Sequence, residues 1–407
     1  MGLMPFQRAG SLAERRTCSG SSSGGRVSTQ YHFANLRGRW HYRYLALFGL
    51  LFTLFLLVTG CSKGRQSTWD PVGPVAEKQL ELFNVLLWVM VVVFVLVEGA
   101  LLYTIIRYRR RPGQERPKQV HGHLPLEVTW TIIPTILILG LGAWSVLTLF
   151  DLENPPDSDQ NVLEVNVTGH QWWWEFEYPD AGGGKRITTA NELRIPVDRA
   201  VRLTLRSDDV LHSFWVPKLA GKLDVVPTRT NKMWFKADSA KIDTLPATLY
   251  GQCAELCGVG HALMKMRVIV LGQADYDAWV RDYGPPQATT EKAKLGQATF
   301  SANCALCHTI TGGDDEEAQR SRLGVFLTQK GFTPVPAPNL TDLRTRQSLG
   351  AGLLDLNVEN LRRWLHNPET IKPGNSMAQR ALIYRDGDIS LDDAQIDALI
   401  EYLLQLQ

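Results

Sequence analysis

Apolar positions are not spread evenly along this chain. Three apolar runs fall within the first 150 residues, and beyond them the pattern breaks into short alternating and helical stretches. The first run, Leu45–Val58, is short for a membrane span and follows a basic flank of Arg37, Arg39 and Arg43. A basic flank before a short apolar core has the shape of a secretory leader. The second run, Val85–Ile106, and the third, Val128–Phe150, can each cross about 30 Å of hydrocarbon as a helix. The third has 23 residues and no charge. Between them lies "RYRRRPGQERPK", dense in Arg and Lys. Loops of that kind stay in the cytoplasm, so Cys61 and everything after Phe150 face the periplasmic or extracellular side.

After the hairpin comes the turn-rich linker "ENPPDSDQ". Period-2 alternation then marks "VLEVNV", "AVRLTLR", "KMWFKA" and "MRVIVL" as strands, separated by Gly, Pro and Asp turns. Short strands at this density predict a small all-β sandwich or barrel, with no long helical period over about residues 160–275. A second linker, "YGPPQATTEKAK", leads into helical patterning. "EKAKLGQATFSAN" reads as one helix, and "VENLRRWLHNP" as another that Pro368 stops. A last helix is expected from Ser390, with Asp393 three residues on as a capping pair and Ile396, Leu399, Ile400 and Leu403 as its apolar stripe. The expected organisation is a leader over 1–60, a transmembrane helical hairpin over 61–155, a β domain over 156–283 and a small all-α domain over 284–407.

Length and charge agree with this multidomain reading. The chain has 407 residues, enough for two or three domains. Its net charge of +2 gives no strong field for nucleic acid, which is excluded as a partner class. An exported protein would ordinarily spend its cysteines on disulfides. Here Cys18 lies in the leader and Cys61 ends it, while Cys253 and Cys257 form one cluster and Cys304 and Cys307 another, each with a His. That pairing points to cofactors.

The second cluster is "CALCH" (Cys304, Cys307, His308), a C-x-x-C-H motif. Two thiols three apart can each join a haem vinyl, and the adjacent His can reach the iron. A chance match or a thioredoxin-like pair is the competing reading. Met377, in "IKPGNSMAQ", is the one Met after His308 and therefore the candidate second axial ligand. A loop Met before a final helix resembles class I cytochromes c. In that family a Pro carbonyl accepts from the proximal His ring, a role the resemblance gives to Pro338 in "APNLT". The family often has Pro after the axial Met, where this chain has Ala378.

The first cluster is "YGQCAELCGVGHALMKM". Cys253, Cys257, His261 and Met264 occur at spacings of four, four and three. Thiolate and thioether are soft ligands and imidazole is borderline, a set that suits copper. Zinc could instead use Cys253, Cys257, His261 and His212 from "DVLHSFWVP", leaving Met264 idle. A copper chaperone would use two thiols and one His.

"DVLHSFWVP" together with "GQCAELCGVGHALM" resembles the binuclear copper site of cytochrome c oxidase subunit II. "GHQWWWEFEYP" resembles that family's aromatic segment, and the hairpin with "PLEVTWTIIP" is similar too. The resemblance runs in order over residues 75–275. With the appended haem domain, the whole resembles subunit II of a caa-type oxidase, implying a cupredoxin-like β-sandwich and a class I cytochrome c domain. It implies that Cys253 and Cys257 bridge two coppers, that His212 and His261 bind one each, and that Met264 and the Glu255 carbonyl are weak ligands. It implies a magnesium shared with subunit I at the Glu255 side chain, Trp172 as the entry for electrons from soluble cytochrome c, and Glu127 as the entrance of a proton channel. Each of these has a plainer reading. Trp172, Trp173 and Trp174 would serve as core and interface filling, Glu255 as a solvated loop carboxylate, and Glu127 as an interfacial carboxylate at a helix start. Glu98, inside the second run, is an intramembrane carboxylate whose partner would lie on another subunit. The acidic run Asp314–Glu317 reads as a solvated insertion. Thr228 in "DVVPTRTN" stands where the family commonly has Gly. "LLVTGC" resembles the lipobox of bacterial lipoproteins, implying lipid on Cys61; an uncleaved anchor with an incidental Cys fits the same residues.

The function implied is that of an electron-transfer subunit in the bacterial plasma membrane, with no catalytic residue of its own. Electrons from soluble cytochrome c or another high-potential donor would enter at the covalent haem c and pass to the binuclear copper. From there they would go to subunit I, where the complex reduces oxygen to water and pumps protons. A copper-containing nitric oxide reductase subunit and a copper or haem assembly protein are the alternatives.

Overall fold

This computed structural model describes residues 47–53, 64–115, 118–155, 161–284, 288–310, 336–385 and 387–405. Cys18, Cys61 and the acidic run Asp314–Glu317 lie outside the described residues. The chain divides into two compact units, Met1–Gly60 and Cys61–Gln407. Of the first unit, residues 47–53 are helical.

Two long apolar helices open the second unit, α1 (Pro74–Arg107) and α2 (Leu124–Glu153). Both run past the apolar cores read from the sequence. Pro74 supplies a ready-made first turn for α1, with the φ a helix needs and no N–H to satisfy. The His123 ring accepts from Leu126 N–H at the start of α2. Neither helix has its apolar surface buried within the chain, as expected where lipid and partner helices do the covering.

The hairpin is tied to the β domain at several points. Val72 N–H donates to Lys218 O (2.8 Å), Asp238 N–H to Val72 O (2.9 Å) and Ala76 N–H to Leu219 O (3.2 Å). From the other helix end, Leu152 O accepts from Trp234 Nε1 (3.0 Å). Lys218–Asp70 and Lys241–Glu77, each at 2.6 Å, add charged ties.

The β domain is a sandwich of two five-stranded sheets. The strands are β1 (Leu163–His170), β2 (Trp173–Tyr178), β3 (Ile187–Ala190), β4 (Glu192–Pro196), β5 (Val201–Ser207), β6 (His212–Trp215), β7 (Leu223–Val225), β8 (Asn231–Phe235), β9 (Ala247–Cys253) and β10 (Lys265–Leu271). One sheet has the order β3-β2-β1-β5-β8 and the other β4-β10-β9-β6-β7. Alternation fixes the register: Leu163, Val165 and Val167 point inward while Glu164 is exposed. Trp174 and Phe176 of the first sheet meet Phe214 of the second, with centroids 5.3 and 6.4 Å apart, so the aromatic segment is the glue between the sheets. The sequence pattern found four of these strands. It missed the other six, β2 and β9 among them, and also α3 (Gln273–Asp282), which buries Tyr276, Trp279 and Val280 against the sandwich.

The C-terminal domain holds α4 (Glu291–Asn303), a short strand pair β11 (Ser348–Leu349) and β12 (Leu354–Asp355), α5 (Val358–His366), α6 (Ser376–Arg380) and α7 (Asp393–Gln405). The domain is helical, as expected, with one two-residue strand pair added where Gly350, Ala351 and Gly352 all adopt positive φ and turn the chain back on itself. The last helix starts at Asp393, not Ser390. Asp392 is the cap, accepting from Gln395 N–H (2.7 Å), while the Gln395 side chain accepts from Asp392 N–H. α4 and α7 cross closely at Gly296, where a Cβ would sit 2.0 Å from Ala398 O.

The two soluble domains are joined by buried charge. Asp342, of the C-terminal domain, accepts from Thr189 Oγ1 (2.7 Å), Arg194 Nη1 (3.1 Å) and Arg346 Nε (3.0 Å). Glu192, fully buried on β4, accepts from Gln347 N–H (2.8 Å) and Ser348 Oγ (2.6 Å). Burial alone would raise the Asp342 pKa, but the Arg346 and Arg194 charges and the hydrogen bonds outweigh it and hold the carboxyl below its usual range. Removing one partner from such a buried group costs about 3–5 kcal/mol.

Two outcomes are expected. Thr228 has φ +63°, a left-handed conformation costly for a β-branched residue. Thr228→Gly will therefore stabilise the chain by ~1 kcal/mol, read as a higher thermal midpoint. A carboxyl depressed in the fold contributes fully above its unfolded value of about 3.9 and loses that contribution as pH falls through the folded value. Domain docking will thus hold from neutral pH down to about pH 4 and weaken progressively below it, followed by tryptophan fluorescence in an acid titration.

Candidate metal centre and haem cleft

Sheet pairing assembles the first cluster. β6 and β9 run antiparallel, with Phe214 opposite Cys253, so His212 at the start of β6 lies beside the end of β9. The loop 254–264 then returns into β10. It is closed by Cys253 N–H donating to Met264 O (2.9 Å) and pinned by Ala254 N–H donating to Ser213 O (2.9 Å). Cys253 Sγ lies 3.7 Å from Cys257 Sγ, 3.9 Å from His212 Nδ1 and 3.2 Å from Glu255 O. Cys257 Sγ lies 3.7 Å from His261 Nδ1 and 3.9 Å from Met264 Sδ. All six groups read from the sequence converge, each thiol with its own imidazole. Cys253, Cys257, Met264 and His212 are all buried.

The thiols are free and far outside bonding distance for a disulfide. The contact between the two sulfurs, with further hydrogen bonds from His212 and the backbone, outweighs burial and brings the Cys253 thiol down to about 3, while Cys257 is raised in turn. Two soft sulfurs between two imidazoles, with a thioether and a carbonyl at the ends, fit a binuclear copper centre. A single zinc would leave Met264 without a role in a buried site.

Asp209 was not singled out from the sequence. Its Oδ1 lies 2.8 Å from His212 Nε2, fixing the ring so that Nδ1 faces Cys253. Burial disfavours the Asp209 charge, but the His212 hydrogen bond and two backbone N–H donors prevail and lower its pKa. Its place three residues before His212, in "DDVLH", was the available signal. Gln171 was missed too; its Nε2 donates to Cys257 O (2.8 Å). Trp172 Nε1 donates to the same carbonyl (3.0 Å). Gly260 is required here, since a Cβ would sit 2.4 Å from the Trp172 ring.

The second cluster opens on a mainly apolar cleft. Cys304, Cys307, His308 and Met377 all line it. His308 Nδ1 lies 2.8 Å from Pro338 O, leaving Nε2 as the free ring nitrogen. Burial lowers the His308 pKa, which favours the neutral ring that a metal needs. Burial also pushes the Cys304 thiol up to about 12 and raises Cys307. Two thiols, a neutral imidazole and a thioether around an apolar cleft fit a covalent haem. Lys372, another residue missed in the sequence, is buried in the Met377 loop and donates from Nζ to Trp172 O. Burial pushes its pKa down to about 7, with the Cys257 charge opposing.

The remaining sequence-read residues stand apart. The Glu255 carboxylate faces Lys222 at 3.8 Å, about a third exposed. Glu127 Oε1 accepts from His123 N–H (3.0 Å) in the first turn of α2. Glu98 lies within α1. Trp173 and Trp174 come directly after Trp172 on β2, Trp174 in the sandwich core and Trp173 on the cleft.

Asp209→Asn will weaken copper binding about 10–100-fold by loosening His212 while leaving the thiols in place, checked by competitive copper titration.

Comparison with known proteins gives matches over most of the chain. Residues 181–271 match the family model for the periplasmic domain of cytochrome c oxidase subunit II, residues 64–148 its transmembrane domain, and residues 293–407 that for cytochrome c. The cytochrome c oxidase subunit 2 of Bacillus sp. (strain PS3) is 40% identical over 91% of this chain and 99% of that protein. Those of Bacillus subtilis (strain 168) and Alkalihalophilus pseudofirmus are both 36% identical, over 90% and 87% of this chain and 98% and 95% of theirs. The periplasmic-domain match brings with it a binuclear copper centre, and the cytochrome c match a haem c. Two apolar helices and soluble domains beyond them are the layout of a membrane-anchored subunit whose copper and haem domains lie outside. The chain therefore belongs to the cytochrome c oxidase subunit II family, in the form that carries a cytochrome c domain fused behind the copper domain.

Proposed function

We propose that electrons from a soluble cytochrome c, or another high-potential donor, enter this subunit at its own haem and leave through the copper loop toward subunit I. When bound, the haem and the copper pair supply the one-electron carriers, and oxygen is reduced to water within subunit I of the complex. The observation that carries this reading is the pairing of both donor sets through one residue: Trp172 lines the cleft of Met377 and its indole donates to Cys257 O.

Each side chain has a definite task in this reading. Cys304 and Cys307 would attach the haem and His308 and Met377 would hold its iron, with the Pro338 carbonyl orienting His308. A thioether and an imidazole as the iron's ligands would raise the reduction potential, suiting a carrier that feeds a strong oxidant. Cys253, Cys257, His212, His261, Met264 and the Glu255 carbonyl are the groups that would hold the coppers. Because these groups already converge on rigid strands, little has to move when charge arrives. The Glu255 carboxylate is this chain's offer to a magnesium shared with subunit I, and Glu127 its offer to a proton entrance there. Lipid on Cys61 after leader removal would add an anchor to the hairpin. Domain boundaries near residues 60, 155 and 283 belong to this reading, the last two supported by the linkers "ENPPDSDQ" and "YGPPQATTEKAK".

Metal and haem analysis of the purified chain tests the central assignment. Two coppers and one covalent haem per chain are expected, with a near-infrared band from the mixed-valence copper pair. One zinc and no copper would overturn it.

A further inference from the structure

The cleft holding Cys304, Cys307, His308 and Met377 is not made by the cytochrome c domain alone. Trp172, Trp173 and Ala190 of the copper domain line it as well. Trp173 is 8% exposed and stacks on His170, with centroids 4.3 Å apart and planes 14° from parallel. It also forms a small apolar cluster with Ala190, from β3, and Ala351, from the C-terminal domain. That cluster spans the domain boundary. Around it stand the buried polar ties: Thr189 and Arg194 on Asp342, and Glu192 on Gln347 and Ser348. Thr189, Glu192 and Arg194 flank Ala190 in sequence, so the ties hold the very strands that present the apolar face. Lys265 N–H donating to Ala351 O (3.2 Å) adds a backbone tie at the same place.

We propose that Trp173 is a haem-site residue contributed by the copper domain, its indole closing the haem cleft on the side that the cytochrome c domain leaves open. This rests on the haem reading above. The physical consequence concerns potential. Replacing water by an indole lowers the dielectric within the cleft, which would disfavour the more highly charged oxidised form of a bound haem and raise its reduction potential. The haem is then tuned by the domain it feeds. Arg194 and Glu192 are positioning residues, acting on the haem only through the docking they maintain.

The test is a redox titration of haem c in the assembled oxidase, with covalent haem content measured in parallel. Trp173→Ala will keep its covalent haem but shift the reduced-to-oxidised ratio at least tenfold toward oxidised, a fall of about 59 mV for a one-electron couple. Trp173→Phe, which keeps an aromatic wall, will stay within about threefold of wild type, or roughly 30 mV on the same scale. Arg194→Met leaves Asp342 its Arg346 partner yet loosens the docking, so it will move the potential in the same direction as Trp173→Ala. It also carries the test if Trp173→Ala does not accumulate. A Trp173→Ala oxidase with full haem content and the wild-type potential would overturn the proposal. Wild type without covalent haem would instead fault the haem reading.

Discussion

Asp342 sits where water does not reach it, and its set of partners is complete only while the sandwich and the C-terminal domain are in contact. Arg346 comes from its own domain, but Thr189 and Arg194 come from the other. A buried carboxylate with half its partners removed is costly. The contact is therefore selective about geometry more than it is strong in sum: two apolar faces could slide, whereas these hydrogen bonds close at one register. The shared cleft, the burial of Lys372 and the double hold on Trp172 all depend on that single register.

The copper loop shows the same logic on a smaller scale. Its donors come from two neighbouring strands and the turn between β9 and β10, so sheet hydrogen bonds set their spacing before any metal arrives. Asp209 and Gln171 then fix what the strands leave free, one a ring orientation and the other a backbone carbonyl. Trp172 joins this network from the haem side. A residue that the sequence places at an external docking surface is, in the folded chain, held between two donor sets.

Most of the donor chemistry was legible in the sequence because it is local. Cys253, Glu255, Cys257, His261 and Met264 fall within twelve positions, and C-x-x-C-H needs only five. The hairpin was legible because a bilayer demands long uncharged runs. What stayed hidden is what depends on distant pairing. Arg194 and Asp342 are 148 positions apart, and no local pattern links them. Lys372 reads as an ordinary surface lysine until the docked sandwich buries it. α3 was missed because its buried face is only Tyr276, Trp279 and Val280, too few to show a period. The last helix was placed too early because Ser390 and Asp393 imitate a cap that Asp392 and Gln395 make.

The ties between the helical hairpin and the sandwich carry one more implication. Backbone bonds from Val72 and Ala76, and the indole of Trp234 on Leu152, fasten the sandwich to both helix ends at once. A body bolted at two points neither swivels nor bobs over the lipid. The altitude of the metal loop is thus inherited from where the helices leave the membrane, and every copy of the subunit offers its exit to the neighbouring membrane protein at the same level, with no angular search left to perform.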